Sequence, residues 1–480
     1  MAFTTHIFLF YFLPAVLLLY GALPGAARAM RLGEPAVTRA RNATLLLASL
    51  ILCASWNPWF VLPLLLVTAV NYACGRLVGR PGASRRQRFW TVAAAVALSL
   101  GALGFFKYAA FFQTNANHVL AALGAGGMRV LQVALPIGIS FYTFQALAYT
   151  VDVYRGAVAP ARSFLDLACY AALFPRLVAG PIMRYGAVAG QLVRRSHTWE
   201  QFASGAALFV LGLAKKVLLA DPVGRSADAA FGAQELAALD AWFGAAAYAF
   251  QIYFDFSGYS DMAVGLGRLF GLEFMKNFDS PYLAESITDF WRRWHISLST
   301  FLRDYLYIPL GGNRKGVWRT YVNLVVVMLL GGLWHGANWT FVAWGAFHGA
   351  LLAAERPLGK QGLYRRLPRP LRVGATFVLV LLAWVLFRSA NLQEAAHYLG
   401  AMLGQGRPDA GALLLGAQLY APSSLLAMAA CAALAFVPLQ AHQWADSITW
   451  PKAAAAGAAF VVSLLAMFSQ SFTPFLYARF

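Results

Sequence analysis

The sequence has few charged residues for its length. Asp, Glu, Lys and Arg make up only 12% of its 480 residues, whereas 60% of the residues are hydrophobic and the mean hydropathy is +0.60. A soluble domain of this size cannot bury so much apolar surface in one core. The composition therefore excludes a soluble protein and indicates a polytopic, all-α membrane protein. No soluble domain, linker or internal repeat is evident, so we predict one integral membrane domain over residues 1–480.

Cysteines are also scarce, and the common nucleotide-binding motifs are missing. The four cysteines are scattered through apolar segments without the spacing of a zinc site, so we expect packing roles and no bound metal. Neither a P-loop nor a dinucleotide-binding fingerprint occurs, so nothing indicates a nucleotide-driven pump.

Basic residues exceed acidic residues by 38 to 19, and they lie in short loops between apolar segments. This pattern is typical of cytoplasmic loops in membrane proteins rather than of nucleic-acid binding. Two such loops flank the apolar block Ala43–Cys74, which Trp56–Trp59 interrupts, so we predict a hairpin of two short helices there. The charge pattern predicts about 10–12 membrane crossings, with both chain termini outside the cytosol.

One long interval, Glu273–Gly316, is too charged to cross a membrane and too aromatic to be free in water. Ser286 followed by Asp289 is a helix-start signal. Apolar residues then recur every three or four positions, which predicts an amphipathic helix on the cytosolic side. The interval also carries three arginines suited to a phosphate-bearing donor: Arg292, Arg293 and Arg303.

Two histidines are candidates for chemistry. His335 lies between two long apolar runs with glycines around it, and an ionisable group at membrane depth is costly, which makes it a functional-site candidate. Proton coupling in a transporter or export channel is the alternative use of such a histidine. His295 lies next to the aromatic stripe, where a hydrogen-bonded interfacial histidine is the competing interpretation.

Five stretches in chain order carry a resemblance to a known family: Phe105–Phe112, Leu135–Gly156, Tyr253–Gly267, Ser286–Arg314 and Met328–Gly349. They resemble the membrane-bound O-acyltransferase (MBOAT) family, and within it the bacterial branch that O-acetylates polysaccharides such as alginate. The resemblance extends from the first residue to about residue 405. Residues 406–466 match only in being apolar.

The resemblance implies a bundle of membrane helices, with short re-entrant and surface helices, around a central funnel. Its near-invariant histidine falls on His335, and its second polar signature position falls on His295. It also implies acetyl-CoA as the acyl donor, no bound cofactor, and a place in the bacterial inner membrane. The expected partners are polysaccharide synthesis and secretion proteins and membrane lipid, with no nucleic acid.

A histidine in apolar surroundings suits acetyl transfer from a thioester to a hydroxyl, because it can remove the hydroxyl proton while the walls exclude water. The neighbouring glycines would let the donor or acceptor approach closely. Asn338 could orient the imidazole, help hold the oxyanion or cap the next helix. Asp255, Tyr259 and Asp261 could line the funnel or satisfy backbone groups of a broken helix.

The chain ends in an aromatic tail, Thr473–Phe480, that resembles a terminal motif of polysaccharide-acylating systems. Tyr477 could accept acetyl, with His335 as base, and pass it to a periplasmic acyltransferase with a serine nucleophile. Anchoring of the tail at the membrane interface is the alternative. A D-alanyl-transferring relative stays open, as does the polysaccharide, with alginate expected first and cellulose next.

Overall fold

The computed structural model describes residues 1–31, 33–358, 366–406, 410–470 and 473–476. These residues form helices and connecting segments, and no strand occurs among them. The predicted all-α fold class is confirmed. Of the predicted site residues, only Tyr477 lies outside the described ranges.

The described chain forms two compact units. The first unit contains Met1–Phe209 and Met262–Met275. Its complete α-helices are α1 (Leu13–Ala29), α2 (Glu34–Ala54), α3 (Val61–Val78), α4 (Arg85–Leu103), α5 (Ala109–Ala122), α6 (Ile139–Tyr154), α7 (Phe164–Ala172) and α8 (Tyr185–Val193).

The second unit contains Val210–Asp261 and Lys276–Phe480. Two helices contribute residues to both units: α9 (Trp199–Ala214) and α11 (Ala238–Leu269). The other helices of the second unit are α10 (Asp221–Gly232), α12 (Ile287–Arg293), α13 (Ile296–Leu302), α14 (Val317–His335), α15 (Trp339–Leu358), α16 (Arg369–Arg388), α17 (Leu392–Met402), α18 (Ala410–Leu419), α19 (Pro422–Ala435), α20 (Ala441–Ala445) and α21 (Trp450–Ser469).

Eight helical segments of the described chain are long and apolar enough to cross a membrane, or nine if the bent pair α18–α19 forms one span. They are Phe8–Ala29, Glu34–Ala54, Pro58–Val78, Arg85–Ala122, Trp199–Gly232, Val317–His335, Arg369–Arg388 and Trp450–Ser469. The chain is a multi-pass membrane protein. The sequence-based count of about 10–12 crossings was higher because it included segments such as α15, which is not among these eight.

The predicted interruption at Trp56–Trp59 is confirmed. Helix α2 ends at Ala54, and the Asn57 side chain accepts a hydrogen bond from the backbone N–H of Trp59 at 3.0 Å. Pro58 opens a 3₁₀ turn, after which α3 begins at Val61. Proline and the asparagine side chain together stop one helix and start the next.

The predicted helix within Glu273–Gly316 starts where expected but is broken in two. The Ser286 hydroxyl accepts the backbone N–H of Asp289 at 3.1 Å, which caps α12. The chain then leaves the helix at Trp294, and His295 adopts a left-handed conformation with φ of 43°. Helix α13 continues from Ile296. The apolar spacing predicted the buried face but not this break, because the residues that hold His295 lie elsewhere in the sequence.

Candidate active site

His335 is the last residue of α14 and is only 4% exposed. The helix ends there because Gly336 is extended, with φ of −163° and ψ of 152°. Asn338 then accepts the backbone N–H of Thr340 at 3.1 Å and donates to the carbonyl of Ala390 at 2.7 Å. The hydrogen bond from Thr340 is that of a helix cap, which is one of the three roles considered for Asn338.

The glycines around His335 let two helices approach each other. A Cβ atom on Gly332 would collide with the carbonyl oxygen of Phe341, and one on Gly345 would collide with that of Met328. A Cβ atom on Gly336 would strike the Phe341 ring. From the sequence alone, these glycines are expected to make room for the acyl donor or the acceptor. The structure shows that α14 and α15 use this room for their own close packing.

Aromatic rings surround the imidazole of His335. Its ring centroid lies 5.0 Å from Trp334, 5.2 Å from Trp344 and 5.2 Å from Phe387. Trp344 is 1% exposed and Phe387 is 2% exposed, so these walls are deep in the packing of the second unit. Such surroundings keep water away from the imidazole and strengthen electrostatic interactions made there.

His295 is completely buried and is held by Asn277, 18 residues earlier in the chain. The Asn277 Oδ1 atom accepts the backbone N–H of Ser297 at 3.1 Å, which fixes that atom as the amide oxygen. It also lies 3.2 Å from His295 Nδ1. Because an amide oxygen can only accept, Nδ1 carries the imidazole proton and Nε2 carries the lone pair.

Burial keeps this imidazole neutral. It lowers the pKa of His295 to about 3, because a low-dielectric environment disfavours the charged form. The backbone around His295 is fixed as well, since the N–H of Ile296 donates to the Asn277 carbonyl at 2.9 Å. Asn277 therefore sets both the turn and the tautomer of His295.

The structure brings the two histidines to one tryptophan. The His295 ring centroid lies 6.0 Å from the Trp334 ring, and that of His335 lies 5.0 Å from it. Phe256 of α11 contacts His295 from another element, with centroids 4.7 Å apart. The two signature histidines thus share an aromatic cluster although α14 and the His295 turn are separate elements.

The acidic candidates on α11 pair with lysines. Asp255 lies 2.6 Å from Lys216 Nζ, and Asp261 lies 2.6 Å from Lys215 Nζ. The Tyr259 ring packs edge-on against Phe475, with centroids 5.1 Å apart. None of these three contacts involves His295 or His335.

The three arginines proposed for donor binding differ in their surroundings. Arg293 pairs with Asp289 at 3.0 Å and donates to the carbonyl of Asp279, so it ties α12 to the preceding loop. Arg303 pairs with the adjacent Asp304 at 2.8 Å. Arg292 is exposed. Arg303 is exposed as well, so Arg292 and Arg303 are both accessible to a soluble phosphate, and Arg303 has the adjacent Asp304 as a competing partner.

His348 on α15 is fully buried. The indole N–H of Trp291 donates to its Nδ1 at 3.3 Å, and its ring contacts Trp344 at 4.9 Å. Two residues that the sequence analysis did not single out have larger roles. Asn277 holds His295, and Lys216 holds Asp255. Asn277 lies within the Glu273–Gly316 interval, which was the only sequence signal pointing to it.

A cavity of about 330 Å³ lies elsewhere in the second unit. Its walls are mainly apolar side chains of α9, the π-helical turn Lys215–Ala220, α11, α19 and α20, with Lys215, Tyr253 and Gln440 as polar members. Neither candidate histidine lines it. Its position therefore does not identify the reaction site.

The structure shows two buried histidines at helix breaks in an apolar, multi-pass protein, and comparison with known proteins identifies the family. The sequence model described as MBOAT, membrane-bound O-acyltransferase family, matches residues 161–361, which include His295 and His335. The chain is 42% identical, over 500 aligned positions and the whole of both chains, to a protein of Pseudomonas putida named probable alginate O-acetylase AlgI.

Two further relatives agree with this match. A Pseudomonas aeruginosa protein with the same name is 46% identical over 406 residues, which cover 85% of this chain and 75% of the relative. The peptidoglycan O-acetyltransferase of Helicobacter pylori is 38% identical over 433 residues, covering 84% and 80%. The chain belongs to the membrane-bound O-acyltransferase family and is an O-acyltransferase. Family membership favours this assignment over the transporter alternative.

Proposed function

We propose that this protein takes acetyl groups from cytosolic acetyl-CoA and moves them across the inner membrane for O-acetylation of a secreted exopolysaccharide. Alginate is the first candidate, because the relatives that are 42% and 46% identical are named alginate O-acetylases. Cellulose is the next. The observation that carries the proposal is the burial of His335 among aromatic rings, on the same tryptophan as His295.

His335 acts as the general base in this proposal. It removes the proton from the attacking hydroxyl while the oxygen forms an ester bond to the acetyl carbon. The carbon–sulfur bond of the thioester then breaks, and the departing thiolate takes a proton from the imidazolium. His295 acts as a positioning residue through the shared Trp334, with its neutral tautomer set by Asn277.

The placement of basic residues supports this direction of transfer. Arg314, Lys315 and Arg319 precede the apolar part of α14, which marks that end as cytosolic. His335 lies 16 residues after Arg319, about 24 Å along the helix at 1.5 Å per residue. The imidazole is then far from the cytosolic edge, where the acyl arm of a cytosolic donor meets an acceptor from outside. The same charge pattern supports an orientation with both chain termini outside.

Tyr477 is the proposed relay. Its phenol oxygen takes the acetyl group from the thioester, with His335 as base, and yields it to the serine of a separate periplasmic acetyltransferase. The first step exchanges a carbon–sulfur bond for an aryl ester, and the second exchanges that ester for a serine ester. Two short transfers replace one that no soluble donor could make outside the cell.

The test of the base replaces His335 with Ala and measures acetyl-CoA turnover and polymer acetylation in membranes with matched protein levels. Loss of a general base typically lowers the rate about 10²–10⁴-fold. His118→Ala is the matched control, because His118 is an exposed histidine on α5. A wild-type rate in His335→Ala would rule out the mechanism. Analysis of acetate on purified alginate, cellulose and peptidoglycan identifies the acceptor.

The relay is tested separately by Tyr477→Phe, which keeps the aromatic ring and removes the nucleophilic oxygen. Polymer acetylation should fall to background when the periplasmic partner is present, whereas the protein level should be unchanged. Polymer acetylation at the wild-type rate would refute the relay and would leave the role of His335 intact.

A further inference from the structure

A lysine buried in the second unit has a partner for each of its three N–H groups. Lys216 lies in the π-helical turn Lys215–Ala220 and is 1% exposed. Its Nζ atom is 2.6 Å from Asp255 Oδ1, 2.7 Å from Asp221 Oδ1 and 3.4 Å from the carbonyl oxygen of Pro474. An ammonium group donates three hydrogen bonds. Two go to helix carboxylates, and the third goes to the C-terminal segment.

The same segment satisfies the other half of the ion pair. The backbone N–H of Leu476 donates to Asp255 Oδ2 at 2.9 Å, so both carboxylate oxygens are engaged. The Phe475 ring lies 5.0 Å from Lys216 Nζ and 5.1 Å from the Tyr259 ring. Phe475 is 3% exposed and Leu476 is 5% exposed. Two backbone contacts and one side chain thus hold residues 474–476.

An ion pair can join two helices without contacting residues 474–476. The neighbouring pair Lys215–Asp261 is an example, since its hydrogen bond and ion pair involve only those two side chains. Without the segment, Lys216 would lose one acceptor and Asp255 would lose one donor, both in a site with little access to water. Leaving buried charged groups short of partners is costly.

We propose that Lys216, Asp255 and Tyr259 form a seat for the protein's own C-terminal segment, residues 474–476, and that this seat positions Tyr477 for acetyl transfer. The positioning role rests on the relay proposed above, whereas the seat itself does not. One peptide bond joins Leu476 to Tyr477, so fixing Leu476 restricts where the phenol can go. Lys216 and Asp255 are positioning residues, since they act through the segment.

The seat can be tested by timed carboxypeptidase digestion of the full-length protein in detergent, with intact mass as the readout. In the wild type, trimming should pause before Leu476. In Lys216→Met, removal of Leu476 and Phe475 should be on the order of tenfold faster, because a charge-assisted contact that opposes local opening is lost. Lys215→Met is the matched control: it removes the adjacent, partly buried charge and should leave the pause unchanged.

Phe475→Ala provides a second variant that leaves both ion pairs intact, in case Lys216→Met does not fold. It should also speed the removal of Leu476, since the ring contacts with Lys216 and Tyr259 are lost. Equal trimming in wild type, Lys216→Met and Phe475→Ala would overturn the seat. If Lys216→Met does not fold, equal trimming in wild type and Phe475→Ala is enough to overturn it.

The positioning role has its own readout. In the seat variants, kcat for polymer acetylation should fall while the KM for acetyl-CoA stays constant, because the donor site is untouched. Unchanged kcat in a variant with a released tail would overturn the positioning role. The trimming assay needs no acetyl donor, so it tests the seat independently of the relay. A fully active Tyr477→Phe variant would refute the relay but not the seat.

Discussion

Replacing Asn277 with Ala should loosen the turn that presents His295. The Asn277 Oδ1 atom accepts from three groups: His295 Nδ1, the Ser297 N–H and the Ser297 hydroxyl, the last at 2.9 Å. Asn277, His295 and Ser297 are each at most 2% exposed. Alanine removes the shared acceptor without adding bulk, so the change isolates the hydrogen bonds that hold His295 in its left-handed conformation.

The expected cost follows from the donors left behind. The Ser297 hydroxyl can rotate to another acceptor, but the Ser297 N–H and the His295 Nδ1–H cannot. A buried donor without a partner costs about 1–3 kcal/mol, so two such donors cost about 2–6 kcal/mol. Local opening of this turn should therefore become at least about 30-fold more frequent, since about 1.4 kcal/mol corresponds to a factor of ten.

Hydrogen exchange followed by mass spectrometry on the full-length protein measures this opening directly. Peptides that cover residues 295–298 should exchange at least about 30-fold faster in Asn277→Ala, and acetyl transfer should slow with them. Lys276→Ala is the control, because Lys276 is the residue before Asn277 and its side chain makes an exposed ion pair with Asp279. Removing that pair should change stability little. Exchange within twofold of wild type in Asn277→Ala would refute the reasoning.

Two further predictions concern the donor and pH. Arg292→Glu should raise the KM for acetyl-CoA while kcat stays near wild type, and Arg303→Glu should do so less because Arg303 already pairs with Asp304. Initial rates measure both, and a fall in kcat at constant KM would contradict the assignment. Burial lowers the pKa of His295 to about 3, so below pH ~6.5 the unfolded chain binds a proton that the folded chain excludes. Stability should fall as pH drops below that value, by up to about 1.4 kcal/mol per pH unit, and His295→Gln should flatten this slope. If the unfolding midpoints of the wild type and of His295→Gln had the same pH dependence, the predicted effect of His295 would be disproved.

The sequence by itself determined the features that depend on local composition and spacing. The apolar excess indicated a multi-pass membrane protein, the Trp56–Trp59 interruption marked a helix break, and Ser286 marked a helix start. The motif residues identified the family, and with it the two signature histidines. Each of these signals lies within one stretch of chain, so a linear pattern is sufficient to carry it.

Only the tertiary structure decided which residues, distant in sequence, contact the candidate site residues. Asn277 breaks the predicted helix at His295, and the glycines near His335 serve helix packing, as the contacts of Gly332 show. Lys216 meets Pro474, 258 residues later in the chain. Such partners have no fixed sequence spacing. A buried hydrogen bond or ion pair depends on which side chains the fold brings within about 3 Å, and the intervening sequence does not encode that distance.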